Sequence, residues 1–118
     1  MIRFQMKRFE IWLANLNPQR GTETGKTRPV LVIQTNLLNN SHPSTVICPL
    51  TTNVQPTLDV LRVHIKKGVA GLSQNSDVLI DQIRAIDNKR FINKLGDLPN
   101  SLRVKTTFNL KVVLDLDW

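Results

Sequence analysis

Apolar and polar positions alternate from the start of the chain's first clear element. In Phe9-Glu-Ile-Trp-Leu-Ala-Asn-Leu16, Phe9, Ile11 and Leu13 alternate with Glu10, Trp12 and Ala14, which predicts a strand. Asn17-Pro18 ends it, and Gln19 to Thr27 reads as a polar loop holding Gly21 and Gly25. Arg28-Pro-Val-Leu-Val-Ile-Gln34 is short and β-branched, as a strand buried on both faces would be. Asn36 to Pro43 is a polar connection with room for one helical turn. Thr45-Val-Ile-Cys-Pro-Leu50 is a third strand, and Pro49 places it at an edge or a strand end. Val60 to Ile65 alternates again, Lys66 to Gly71 is a turn with two glycines, and Asp77 to Ile86 is the clearest strand of all. Asp87 to Arg90 then turns the chain into a short strand over Phe91–Leu95.

The C-terminal segment fits two periods. Val104, Phe108, Val112 and Leu116 recur every four residues, as on one face of a helix, while Leu110, Val112, Leu114, Leu116 and Trp118 alternate as in a strand. Length decides for a helix, because strands rarely run so long, and Pro99 suits its first turn. Five to six short strands closed by one helix describe a small, barrel-like α+β domain. Without a repeat or linker, residues 1–118 read as a single domain.

Charge sharpens the picture. Sixteen Lys and Arg against nine Asp and Glu give +7. Residues 1–59 carry six basic and three acidic side chains, and residues 60–118 carry ten and six. The excess therefore belongs to the folded body and favours an acidic or polyanionic partner. One cysteine excludes an internal disulfide framework and fits a reducing compartment. No apolar run approaches the ~20 residues of a membrane span. The opening Met1-Ile-Arg-Phe-Gln-Met-Lys-Arg8 lacks a signal peptide's apolar stretch, so the expected location is the cytoplasm.

Several chemistries are poorly supported. His42, His64 and Cys48 have no metal-ligand spacing, and Asp77 with Asp81 makes a thin carboxylate pair among apolar residues. Cys48, inside an apolar strand, reads as a small buried hydrophobe. No local signature marks a Ser–His–Asp arrangement. Gly21-Thr-Glu-Thr-Gly-Lys-Thr27 resembles a phosphate-binding loop, but the spacing is one residue short and a strand follows where a helix is required. What remains is a basic loop running into Arg28, which the following proline biases to extended backbone. Arg28 then shares a strand face with Val30, Val32 and Gln34. Gln82 and Arg84 share one with Val78, Ile80 and Ile86. Thr51 and Thr52 follow at a strand end. Each has a bland alternative, as a surface ion-pair partner or a simple turn residue.

The string Trp12-Leu-Ala-Asn-Leu-Asn-Pro18, Gly21-Thr-Glu23 and Gly25-Lys-Thr-Arg-Pro-Val-Leu-Val-Ile-Gln34 resembles the MazF/PemK family of toxin ribonucleases. Ile47-Cys-Pro-Leu-Thr-Thr52, Asp77-Val-Leu-Ile-Asp-Gln-Ile-Arg-Ala-Ile-Asp87 and Lys89-Arg90 follow in the family's order. The resemblance implies an SH3-like β-barrel of the CcdB/PemK type with a C-terminal helix, and a homodimer. It also implies sequence-specific cleavage of single-stranded RNA without a metal or other cofactor, and an acidic antitoxin of the MazE type that folds over the active groove. The family's catalytic arginine falls on Arg28 and its catalytic hydroxyl residue on Thr51. Arg20, Thr22, Glu23, Lys26, Thr27, Thr52, Gln82 and Arg84 are the expected RNA-binding residues around them. Two positions depart from the family: Asn15 stands for an acidic residue, and Phe9 for the usual glycine. A rival expectation is a non-catalytic toxin on the same barrel that blocks a protein target such as a topoisomerase, and a third is an RNA-binding barrel without cleavage.

Overall fold

The computed structural model describes residues 5–18, 20–22, 25–39 and 41–116. Among the described residues, seven strands precede one α-helix: β1 (Glu10–Asn15), β2 (Thr27–Val32), β3 (Ser44–Thr51), β4 (Arg62–Ile65), β5 (Ser76–Leu79), β6 (Arg84–Asp87), β7 (Phe91–Asp97) and α1 (Asn100–Leu114). All pairings are antiparallel, in the order β4-β5-β3-β2-β1-β7, with β6 also pairing β3. The expected α+β, barrel-like architecture with a C-terminal helix is the one observed. Between β4 and β7 the gap is bridged by backbone packing. A Cβ on Gly71, which has a left-handed φ of +77°, would lie 2.0 Å from the Leu95 carbonyl oxygen. Only glycine lets the β4–β5 connection approach β7 that closely.

The predicted single strand over Asp77–Ile86 is two strands. A 3-10 turn at Ile80–Gln82 separates β5 from β6. The cause is β3, whose Ser44–Ile47 half pairs with β6 while Leu50 and Thr51 pair with β5. Ile80 stays buried through the turn, so the apolar alternation survives in sequence although the strand does not. Face assignments do not carry across it. Asp77 is buried on β5 and Asp81 is exposed on the turn, so the two carboxylates share no strand face. Gln82 likewise lies in the turn, so its expected common face with Val78 and Arg84 is not formed.

Pro49 also departs from expectation. It sits in a central strand, opposite Val30 of β2, and is buried. On the other side of β3 it falls between the Ile47↔Arg84 and Leu50↔Val78 pairs, where β6 has ended and β5 has not begun. A residue without an N–H fits that gap.

Two apolar clusters fill the two sides of the sheet. Ile11, Leu31, Cys48, Leu50, Val63, Ile65, Val78 and Ile80 pack beneath α1 with Leu98 and Leu110. Trp12, Ala14, Val30, Val32, Ile47, Ile86 and Phe91 form the second, with Trp12 and Phe91 edge to face. The helix runs where predicted but turns a different face inward. Thr106, Asn109 and Leu110 are buried, whereas Val104 is 72% and Phe108 50% exposed, with Val112 and Leu116 exposed as well. Asn109 fixes this rotation, because its Nδ2 donates to the carbonyls of Asp59 (2.9 Å) and Arg62 (3.3 Å). A buried amide needs such partners, and the four-residue apolar repeat carries no information about them.

Candidate active site

Arg28 stands at the open end of β2, opposite Ala14 of β1. Val30 and Val32 share its face and sink into the second cluster, which anchors the strand while the arginine remains half-buried. Its Nε donates to the Gly25 carbonyl at 2.9 Å and its Nη1 to the Leu50 carbonyl at 3.2 Å. These two bonds fix the plane of the guanidinium against the end of β3 while other N–H groups of the fork stay available to a ligand. Burial lowers the Arg28 pKa from its ordinary value.

Thr51 is the residue after Leu50. Continuing the register from Val30↔Pro49, it is the position on β3 that faces Arg28. Its Oγ1 accepts the Asn53 backbone N–H at 3.1 Å, a local turn that fixes the hydroxyl oxygen and does not use its proton. Thr52 is exposed beside it.

The β1–β2 loop rises next to this pair. Lys26, at φ +67°, is tied at both ends: its N–H donates to Asn17 Oδ1 (2.8 Å) and its carbonyl accepts the Leu16 N–H (2.8 Å). Arg90 holds the same loop from below by donating to the Asn15 (2.9 Å) and Asn17 (2.5 Å) carbonyls. The side chain of Lys26 is exposed, as are Arg20, Thr22 and Thr27. Gln82 joins the loop to the 3-10 turn, its Nε2 donating to the Thr22 carbonyl at 3.3 Å. Glu23 lies outside the described residues. Arg84 is placed elsewhere on the face: it stands opposite Ile47, four residues before Thr51, roughly 13 Å along the strand. The structure thus brings Arg28, Thr51, Thr52, Gln82 and the Lys26 loop to one end of the barrel and sets Arg84 along its flank.

The remaining reactive groups take structural places. Cys48 is fully buried, and burial, with the Asp81 charge, pushes its thiol up to about 12. A thiol so protonated is a poor nucleophile. His42 is exposed, with Nδ1 3.0 Å from the Ser44 carbonyl. His64 is bound to the buried Asp77, two strands from Thr51, at roughly 10 Å by strand spacing. The Arg62–Asp77–His64 group carries no contiguous motif in the sequence. The available clue was an acidic residue at the head of an apolar strand, with Arg62 and His64 alternating on the strand before it. Among the described residues, no three His, Cys, Asp or Glu side chains are grouped as a metal would require.

The profile of PemK-like, MazF-like toxins of type II toxin–antitoxin systems matches residues 7–114. The chain belongs to that family. The toxin is 32% identical over 111 residues to endoribonuclease EndoA of Bacillus subtilis (strain 168), covering 94% of this chain and 96% of that protein. It superposes on the Mycobacterium tuberculosis toxin MazF-mt6 with a TM-score of 0.77 at 26% identity, over 92% of this chain and 99% of that one. A chain of the MazE–MazF complex from Deinococcus radiodurans shares the fold at 23% identity, with a TM-score of 0.77 over 97% of this toxin and 99% of that chain. Phe9, where the sequence departs from the family's glycine, has φ +71° in this toxin. The backbone keeps a glycine's conformation under a phenylalanine. Its ring lies beneath the guanidinium groups of Arg8 (4.5 Å) and Arg103 (5.5 Å).

Proposed function

We propose that this toxin is a sequence-specific endoribonuclease that cuts single-stranded RNA at the Arg28–Thr51 end of the barrel. The observation that carries the reading is the Arg28 guanidinium fixed on the carbonyl of Leu50, one residue before the Thr51 hydroxyl. Similarity to a protein named endoribonuclease over nearly the whole chain supports it over a toxin that only blocks a protein target.

The reaction uses the substrate's own nucleophile. A ribose 2′-OH attacks the adjacent phosphorus, the bond from phosphorus to the 5′-oxygen breaks, and a 2′,3′-cyclic phosphate and a 5′-hydroxyl result. The 2′-OH gives up one proton and the 5′-oxygen gains one. Negative charge grows on the phosphoryl oxygens in between, and a fixed guanidinium fork stabilises it in place. The Thr51 proton serves a phosphoryl oxygen or the departing 5′-oxygen. No step requires a metal or a cofactor.

The partners follow from charge and family. A body at +7 takes RNA phosphates along Arg20, Lys26 and Arg28, and an acidic MazE-like antitoxin segment competes for the same surface. The toxin acts as a homodimer in the cytoplasm, and the exposed apolar stripe of α1 is the kind of surface such a contact buries.

The test is cleavage of a mixed-sequence RNA by the purified toxin, with and without excess chelator. Equal cutting in both, with 2′,3′-cyclic phosphate and 5′-hydroxyl ends, is expected. Activity lost to chelator and restored by magnesium contradicts the reading.

A further inference from the structure

The turn that leaves Thr51 rests on a buried ion group. Register places Thr51, Asp77 and His64 in one row across β3, β5 and β4, so their side chains share a face. Asp77 is fully buried. Its Oδ1 accepts from His64 Nδ1 at 2.6 Å, and its Oδ2 accepts from Arg62 Nη1 at 2.9 Å and from the Gln55 backbone N–H at 2.8 Å. Arg62 Nη1 also donates to the Asn53 carbonyl at 3.1 Å. Two points on the turn, residues 53 and 55, are therefore tied to one carboxylate–guanidinium pair. The chain of contacts ends at the site, because the Asn53 N–H donates to Thr51 Oγ1.

That last bond sets the Thr51 hydroxyl. With one lone pair engaged by Asn53, rotation about the Cα–Cβ bond is restricted and the O–H proton is directed away from the turn. If the 53–55 backbone shifts, the donor shifts with it and the hydroxyl loses its reference. Fixed orientation of a reacting group is worth large factors in rate, and small displacements forfeit them.

We propose that Arg62 and Asp77 are positioning residues for Thr51, holding the 53–55 turn so that Asn53 aims the hydroxyl. The assignment rests on the reading of Thr51 as a catalytic residue. Arg62 and Asp77 do not touch the RNA in it. Their side chains are 16% and 0% exposed, and Arg62 Nη1 and both Asp77 carboxylate oxygens are engaged by the turn, by each other and by His64. A carboxylate taken fully out of water is costly unless every partner is in place. Here the partners lead to the backbone beside the site as well as across the strands.

A double-mutant cycle separates positioning from plain stability. Thr51→Val, Arg62→Met and the double variant are compared with the wild type on one RNA, well below each melting temperature. Arg62→Met should lower kcat on the order of 10-fold with KM within about twofold. In the Thr51→Val background the same change should alter kcat by less than about twofold, because the group it acts through is gone. Arg62→Lys, which keeps a donor, should recover part of the loss. Asp77→Asn keeps the volume and an acceptor for Gln55, and replaces Arg62→Met in the cycle where the latter does not fold. Additive losses, or a loss that only tracks unfolding, overturn the proposal while the reading of Thr51 stands. Wild-type cleavage by Thr51→Val overturns both.

Discussion

Arg28 and Thr51 meet through the Leu50 carbonyl. Arg28 Nη1 donates to it at 3.2 Å, and Thr51 is the next residue along β3. The cation is thus positioned by the backbone of the strand that carries the hydroxyl. Gly25, through its carbonyl, ties the same guanidinium to the loop that carries Lys26.

This geometry separates Thr51 from its neighbour. Thr51→Val removes the hydroxyl and keeps the branched shape, so cleavage should fall on the order of 10²-fold with little change in melting temperature. Thr52→Val, at an exposed position outside the Asn53 bond, should matter much less. Rates and melting curves for both variants check this; equal losses would make the pair a structural turn.

Phe9 should reverse the usual order of glycine and alanine. At φ +71° a Cβ is strained and glycine is not. Both Phe9→Gly and Phe9→Ala lose the ring beneath Arg8 and Arg103. Phe9→Gly should then be the more stable by about 1 kcal/mol. Denaturant unfolding of the two variants measures the difference directly, and alanine above glycine would contradict a left-handed backbone at this position.

Asp77 gives the fold an acid limit. Burial raises its pKa, but the Gln55 N–H and the His64 and Arg62 hydrogen bonds outweigh it, and the net pKa is below the ordinary carboxylate value. A group depressed in the folded state contributes stability above its unfolded pKa of about 4 and loses it as pH falls through the folded value. The wild type should therefore exceed Asp77→Asn by on the order of 3 kcal/mol near neutrality. That gap should narrow as pH drops below about 4. A gap that stays constant down to pH 2.5 would show that the carboxylate's charge is not what stabilises the native state.

Much of this was legible in the sequence because strand period and turn chemistry are local. β1, β2, β3 and α1 begin and end near the predicted residues, and Arg28-Pro29 marks the open end of β2 as expected. The failures are all of tertiary origin. Asp77–Ile86 reads as one strand because Ile80 stays buried while the chain changes its pairing along β3. Pro49 reads as an edge because the sequence does not disclose that two different partners leave a gap opposite it. The four-residue apolar repeat points to one helix face, whereas buried Asn109 sets the rotation. The Arg62–Asp77–His64 group is assembled from two strands and a turn and has no contiguous motif.

In the proposed reaction a fixed Arg28 fork stabilises the transition state of RNA cleavage. The most direct measurement is the single-turnover rate of one mapped RNA with wild type, Arg28→Ala and Arg28→Lys, beside the affinity of each for an uncleavable analogue. Arg28→Ala should lose on the order of 10²–10³ in rate, with little recovery in Arg28→Lys and binding largely retained. Near-normal turnover in either variant, with RNA binding intact, would contradict this role of Arg28.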